Sequence, residues 1–305
     1  MRILVTGHTG AIGSELAPRL LADGHDVRVT SRRSEVAVPG GAEFVSTDVL
    51  SGRGLDRALA GIDVAYYLIH SMEPEAGTGF ALHERVSAAN FADAARRAGV
   101  RRTVYLGGLI PADAPPSAHL ASRLAVENLL LAGTPEAIAF RASIVIGARS
   151  RSFRFLVRLV ERLPVLLIPA WRHHVTAPID MRDVTEFLVR AALTPEVGQE
   201  SVDIAGPDVV GYGELIERIR DAMLLARPVL NIPRLTVTPI ASRVSSVIAG
   251  EEHALIGPLM GGLTSDLLPR DDTAATRFGV RRHSLERAIE RALGDWEAVE
   301  ELKAR

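Results

Sequence analysis

The most specific chemical pattern in the sequence is Thr6-Gly7-His8-Thr9-Gly10-Ala11-Ile12-Gly13. It sits between a buried strand signal and an amphipathic helix signal. In that setting Gly7 permits a tight turn, Gly10 clears a side chain from the path of a diphosphate, and Gly13 lets the helix pack close to the strand. Thr9, Gly10, Ala11 and Ile12 then present the backbone N–H groups and positive dipole end of a helix to the phosphates. The alternative is a tight strand–helix turn without a ligand.

Other candidate residues fall at the ends of later strands. Thr30-Ser31-Arg32-Arg33 closes the second strand, with no acid before Glu35. An acid there would hold ribose hydroxyls and repel a 2′-phosphate, whereas a guanidinium can hold that phosphate bidentately. Ser31, Arg32 and Arg33 therefore argue for NADP(H) over NAD(H), against the alternative of a solvated basic turn. After the third strand, Asp48 and Val49 are placed to meet the adenine edge, although Asp48 could equally cap the next helix. Leu68, Ile69, His70 and Ser71 end the fourth strand, on the carboxyl edge where ligands bind; His70 is either catalytic or structural there. Residues 72–80, with Gly77 and Gly79, read as a mobile loop over that edge. Arg141-Ala142-Ser143 follows the sixth strand at a similar position, its backbone toward the nicotinamide side. His173-His174 lacks a third ligand at metal spacing, so no metal site is expected. Trp171 and Trp296 are expected to pack.

The elements that must position these residues alternate. Strands are predicted over 2–6, 26–30, 43–46, 63–68, 102–106, 137–141 and 201–204. Helices are predicted over 11–22, 55–60, 81–98, 117–131 and 181–193. Ser117 is available as an N-cap after Pro115-Pro116, and Gly99 as a stop. This order implies an α/β fold, a doubly wound parallel sheet of Rossmann type. Helices over 213–225, 237–248 and 283–293 suggest a smaller, mostly helical C-terminal lobe. The expected division is 1–150 for the dinucleotide-binding domain, with 176–207 returning to it, and 151–175 plus 208–305 for a substrate-binding lobe.

Bulk properties narrow the class. With 305 residues, 47% of them hydrophobic and 24% charged, the chain can bury a full core, and disorder is a poor description. A net charge of -2 gives no field to draw in nucleic acid. The absence of cysteine excludes disulfides, thiolate catalysis and Cys-ligated zinc. No secretory signal and no membrane-spanning run are recognised. The segment 153–169 is interrupted by charges and Pro164, and reads as an amphipathic helix followed by a buried strand. A cytoplasmic protein without membrane insertion is expected; oligomeric state is left open.

These residues resemble the short-chain dehydrogenase/reductase superfamily in its extended or atypical branch. The Thr-Gly-x-x-Gly-x-x-Gly turn is similar to that of NmrA-like proteins and sugar-nucleotide epimerases. Tyr66-Tyr67-Leu68-Ile69-His70-Ser71-Met72, Val104-Tyr105-Leu106-Gly107-Gly108-Leu109 and His119-Leu120-x-Ser122-Arg123 resemble a bacterial NAD(P)H-binding subgroup. So do 178–184, Asp203-Ile204-x-Gly206-Pro207-Asp208, Gly262-Leu263-x-x-Asp266 and Arg270-Asp271, which extends the likeness over nearly the whole chain.

The resemblance implies a Tyr-x-x-x-Lys pair on the helix after strand five and a Ser at that strand's end. This sequence departs from it. The matching positions are His119-x-x-x-Arg123, and Gly107 or Gly108 replaces the Ser. His119 and Arg123 share a helix face. Histidine has an ordinary pKa of ~6.5 and can move protons near neutrality; arginine stays charged and could hold a ribose hydroxyl or an anionic substrate. Alternatively, Arg123 pairs with Glu127 while His119 caps or packs. Three functions remain open. One is an NADP(H)-dependent oxidoreductase on a small organic substrate, with His119 or His70 as proton donor. The second is a non-catalytic NmrA-like redox sensor with a protein partner. The third is an NAD(P)-dependent epimerase or dehydratase.

Overall fold

The computed structural model describes residues 1–33, 35–70, 79–168, 170–195, 197–231, 265–298 and 300. The expected helix 237–248, Ser71, most of the 72–80 loop, and the Gly262-Leu263 motif lie outside the described residues.

The first half alternates as the sequence suggests. It runs β1 (Arg2–Thr6), α1 (Gly13–Ala22), β2 (Asp26–Ser31), β3 (Glu43–Ser46), α2 (Leu55–Leu59) and β4 (Val64–Tyr67). It continues with α3 (Phe80–Arg97), β5 (Arg102–Gly108), α4 (Ala118–Leu131) and β6 (Glu136–Ala142). α1 starts two residues later than expected, because residues 7–12 are occupied by the turn itself, closed by Gly10 N–H donating to the Gly7 carbonyl at 2.9 Å. α4 starts where Ser117 caps it, its side chain accepting from the Leu120 N–H.

After β6 come β7 (Val145–Ile146), α5 (Arg151–Arg162), β8 (Leu166–Ile168), a 3-10 turn (Ala170–His173), β9 (Val175–Thr176), β10 (Ile179–Asp180) and α6 (Met181–Leu193). Then follow β11 (Gln199–Ile204), β12 (Val210–Gly211), α7 (Tyr212–Ala222) and β13 (Val229–Asn231). The described chain ends with α8 (Ala274–Phe278) and α9 (Leu285–Glu297). Seven strands form one sheet in the order β11-β6-β5-β4-β1-β2-β3, every pair parallel. Strand order reverses beside β1, which lies between β2 and β4, and this opens a crevice at the carboxyl edge.

Strand alternation fills both faces. Ile3, Val5, Val64, Tyr66, Ile138 and Phe140 face α1 and α6. Leu4, Ala65, Tyr67, Tyr105 and Ala139 face α2, α3 and α4. A third core joins α5, α7 and α9 around Trp171, Tyr212 and Trp296.

Two features depart from the sequence expectation. Three two-residue or three-residue strand pairs, β7 with β10, β9 with β12 and β8 with β13, brace the lobe; runs this short carry no readable alternation. In addition, α8 does not join the lobe core. Phe278 packs against Phe140 at 5.2 Å and Phe187 at 6.1 Å, on the α1/α6 face of the sheet.

The lobe is tied to the sheet just beyond that point. Asp183, fully buried in the first turn of α6, accepts from the His283 backbone N–H at 2.8 Å and pairs with its Nδ1 at 2.5 Å. Asp183→Ala leaves the part-buried His283 N–H without its acceptor and should destabilise the protein by about 1–3 kcal/mol, read as a lower urea midpoint at unchanged m-value. An unshifted midpoint would show that this junction carries no stability.

Candidate active site

The glycine-rich turn is built by backbone proximity. Gly7 has φ +71°, and a Cβ there would lie 2.6 Å from the Leu68 carbonyl oxygen at the end of β4. A Cβ on Gly13 would lie 2.3 Å from the Gly7 oxygen. Neither position admits a side chain. At Gly10 only the Gly7 oxygen stands within 4 Å, at 3.2 Å, so the space a side chain would fill is open to the crevice. Thr9 and Gly10 are exposed, and Ala11 and Ile12 are half-buried. A bare backbone cradle at the amino end of a 10-residue helix fits a dinucleotide diphosphate. Thr6, to which the sequence assigned no task, bolts the turn to β4: its hydroxyl donates to the Tyr66 carbonyl at 2.9 Å and accepts from the Leu68 N–H at 3.2 Å.

On the β2–β3 side, Ser31 Oγ accepts from the Arg33 N–H at 3.1 Å, and Arg32 and Arg33 are exposed. Asp48 accepts from Ser51 Oγ at 2.6 Å and the Leu50 N–H at 3.1 Å. The Ser51 hydroxyl, the Leu50 and Ser51 amides and the nearby Arg32 charge together hold its carboxyl below the ordinary value. Asp48 thus closes its own turn; the N-cap of α2 is Gly54. Val49 is buried, with its carbonyl accepting from Asn90.

His70, His119 and Arg123, separated in sequence, meet at the carboxyl edge beyond β4 and β5. Arg123 is 3% exposed. It pairs with Glu84 on α3 at 3.3 Å, donates to the Leu106 carbonyl at 2.9 Å and approaches His70 Nε2 at 3.4 Å. The expected pairing with Glu127 is replaced, because Glu127 binds Arg141 at 2.6 Å. An arginine only donates, so His70 Nε2 accepts and the ring proton sits on Nδ1. Although His70 is exposed, desolvation at this edge, then the charges of Arg123, His119 and Arg151, hold its pKa well below the ordinary value. His119 stacks on Phe80 at 6.4 Å, and its Nδ1 is buried without a partner among the described residues. Burial first, and Arg123 second, lower its pKa to about 4. Both imidazoles are therefore neutral at pH 7, which corrects the expectation of ordinary histidines titrating near neutrality.

Glu84 went unassigned in the sequence, yet a signal was there. It falls on the inward stripe of α3 with Ala88, Phe91 and Ala95, where a carboxylate requires a partner. Ser122 also donates to it, at 2.7 Å. Arg141 on β6 is held by Glu127, and just beyond the strand Ser143 bonds Thr176 at 2.7 Å. All four tyrosines, Tyr66, Tyr67, Tyr105 and Tyr212, are at most 2% exposed, and the chain's single lysine is Lys303. No phenol reaches the crevice. A cavity of about 620 Å³ lies beside Ala11, walled by α1 and, from the lobe side, by Gly147, Ala292 and Trp296. Among the described residues no cluster of acids and histidines could hold a metal, and no helix is long and apolar enough to cross a membrane.

The sequence profile of the NAD dependent epimerase/dehydratase family matches residues 3–204, from β1 to the last strand of the sheet. The chain belongs to that family. Membership agrees with the resemblance to extended short-chain dehydrogenases/reductases. An uncharacterized protein of Mycobacterium tuberculosis is 29% identical over 248 residues, 81% of this family member. Those residues are 25% of that relative, so the chain spans about a quarter of its length. The ceramide reductase of Caulobacter vibrioides is 30% identical over 199 residues, covering 64% of this chain and 62% of the reductase. Among solved structures, the UDP-glucose 4-epimerase of Thermus thermophilus in complex with NAD superposes with a TM-score of 0.74 at 20% identity, covering 98% of this chain and 100% of that one.

A histidine whose pKa is depressed on folding stabilises less as acid is added. Below the unfolded value of ~6.5 the open chain takes up a proton that the fold refuses. Followed by NMR, the His119 ring should titrate near 4. Stability should fall as pH drops from about 6.5 toward 4, and less steeply in His119→Ala. A His119 midpoint near 6.5 would contradict this.

Proposed function

We propose that the protein is an NADP(H)-dependent oxidoreductase that moves a hydride to or from a small organic substrate without the Ser-Tyr-Lys triad. One observation carries this: two imidazoles, His70 held by a buried Arg–Glu pair and His119 beside it, stand at the sheet edge where the phenol of related reductases would act, while every tyrosine is buried.

In this reading the diphosphate rests on Gly7, Thr9, Gly10, Ala11, Ile12 and Gly13. Ser31, Arg32 and Arg33 take the 2′-phosphate, and Asp48 and Val49 border the adenine. Leu68, Ile69 and His70, with the backbone of Arg141 and Ser143, line the nicotinamide side. The nicotinamide, when bound, supplies or accepts the hydride. His70 offers its Nδ1–H to the substrate oxygen as a neutral donor that polarises a carbonyl. The nearby His119, with its unpartnered Nδ1, is the other proton carrier. Arg123 acts through His70, fixing its tautomer, and does not itself hold ribose. The lobe selects the substrate, and the cytoplasm supplies the reduced cofactor.

A second reading, a non-catalytic NADP(H) sensor of the NmrA-like kind, is favoured by one feature. The cation that replaces the usual lysine is turned into the core and committed to Glu84. Incubation of the NADPH complex with a panel of ketones, aldehydes and enones separates the two. Oxidation by any member supports an enzyme. Tight binding without oxidation, with different affinities for the two redox forms, supports a sensor.

The double variant His70→Ala/His119→Ala should lose turnover by about 10²–10⁴-fold while NADPH affinity falls far less, the diphosphate and 2′-phosphate contacts being kept. Unchanged turnover would remove both histidines from the chemistry. Arg32→Glu should weaken NADPH about tenfold or more and NADH much less, measured by calorimetry. Equal losses would remove the argument for the 2′-phosphate.

A further inference from the structure

The second residue of the glycine-rich turn, His8, is buried at 3% exposure, and its two ring nitrogens face two backbone carbonyls. Nδ1 lies 3.0 Å from the Thr30 oxygen, and Nε2 lies 3.3 Å from the Ala37 oxygen. A neutral ring can donate to one of them, a protonated ring to both. Thr30 belongs to β2, one residue before its end. Ala37 lies beyond Arg32 and Arg33, on the stretch that has left the sheet and rejoins it only at Glu43. The imidazole therefore spans the root and the far side of the loop that carries the two exposed guanidiniums.

The turn that bears His8 does not depend on the ring for its shape. Gly7 is fixed against Leu68, and Gly13 against Gly7, by backbone contacts. The loop is secured from within by Ser31 Oγ at the Arg33 N–H and by the His8 ring, which donates to Ala37 when its proton is on Nε2. The diphosphate, common to both nicotinamide cofactors, reads the turn. The 2′-phosphate, present in one of them, reads the loop.

We propose that His8 is a positioning residue for cofactor choice: by pinning Ala37 to the glycine-rich turn it aims Arg32 at a 2′-phosphate and so sets preference for NADP(H) over NAD(H). The inference rests on the NADP(H) reading above and deepens it. Loop ordering before binding removes a cost that would otherwise be deducted from the affinity, so its loss falls on the ligand that uses the loop.

The test is calorimetric titration of NADPH, NADH, 2′,5′-ADP and 5′-ADP into wild type, His8→Ala, His8→Gln and Arg32→Glu. His8→Ala should weaken NADPH and 2′,5′-ADP about tenfold or more and NADH and 5′-ADP less than about threefold. His8→Gln keeps one N–H donor and should recover part of the selectivity; it decides the matter if the alanine variant does not fold. Equal losses for both cofactors, or no loss, overturn the role of His8. Equal losses in Arg32→Glu overturn the NADP(H) reading itself. A selective Arg32→Glu beside non-selective His8 variants leaves that reading standing and removes only this inference.

Discussion

The crevice depends on one contact between main-chain atoms. The Gly7 carbonyl sits so near the Gly13 Cα that even a methyl group would collide with it. That approach lets the helix start directly above the strand, and brings its amino end to the line where β1 meets β4. Because the constraint is steric and between backbone atoms, no compensating side chain can restore it. Everything placed around the crevice is placed relative to that junction: the Thr6 hydroxyl that binds β4, the basic loop after β2, and His70 two residues beyond Leu68.

A second constraint, Glu84 with Arg123, is electrostatic. Two charges, 3% and 4% exposed on their side chains, face each other in the interior, where removing either partner would strand the other. An ion pair in such a place is weak evidence of stabilisation. Its effect lies in geometry. The guanidinium holds the end of β5 through Leu106 and presents an N–H to His70, so a group that never meets solvent decides which ring nitrogen of a surface histidine carries its proton. The same positive charge disfavours protonation of both neighbouring imidazoles.

The sheet was readable in the sequence because parallel strands buried on both faces are short apolar runs separated by helices, and β1, α6 and the cap at Ser117 fall where composition put them. The glycine turn was readable for a steric reason: at Gly7 and Gly13 only glycine satisfies those contacts. The rest was hidden for physical reasons. A carboxylate on an apolar stripe signals a buried partner, but not which arginine; helix spacing pointed Arg123 at Glu127, whereas tertiary packing gave Glu127 to Arg141 and Glu84 to Arg123. The histidines looked titratable because a sequence does not display the desolvation that lowers their pKa values. His8 gave no signal at all, since its partners are carbonyls, which every residue has.

Residues 270–283 lace the two parts of the molecule together. Arg270 binds Asp203 at 2.8 Å at the sheet's edge, Phe278 wedges between Phe140 and Phe187, and His283 closes on Asp183. The last helix begins only after these three stitches. A hinge opening that swung the lobe away as a rigid body would have to extract an aromatic ring from the main core and unseat a buried carboxylate. A chain cut after Ile204 would keep every strand of the seven-stranded sheet while exposing the aromatic floor beneath β6 to water.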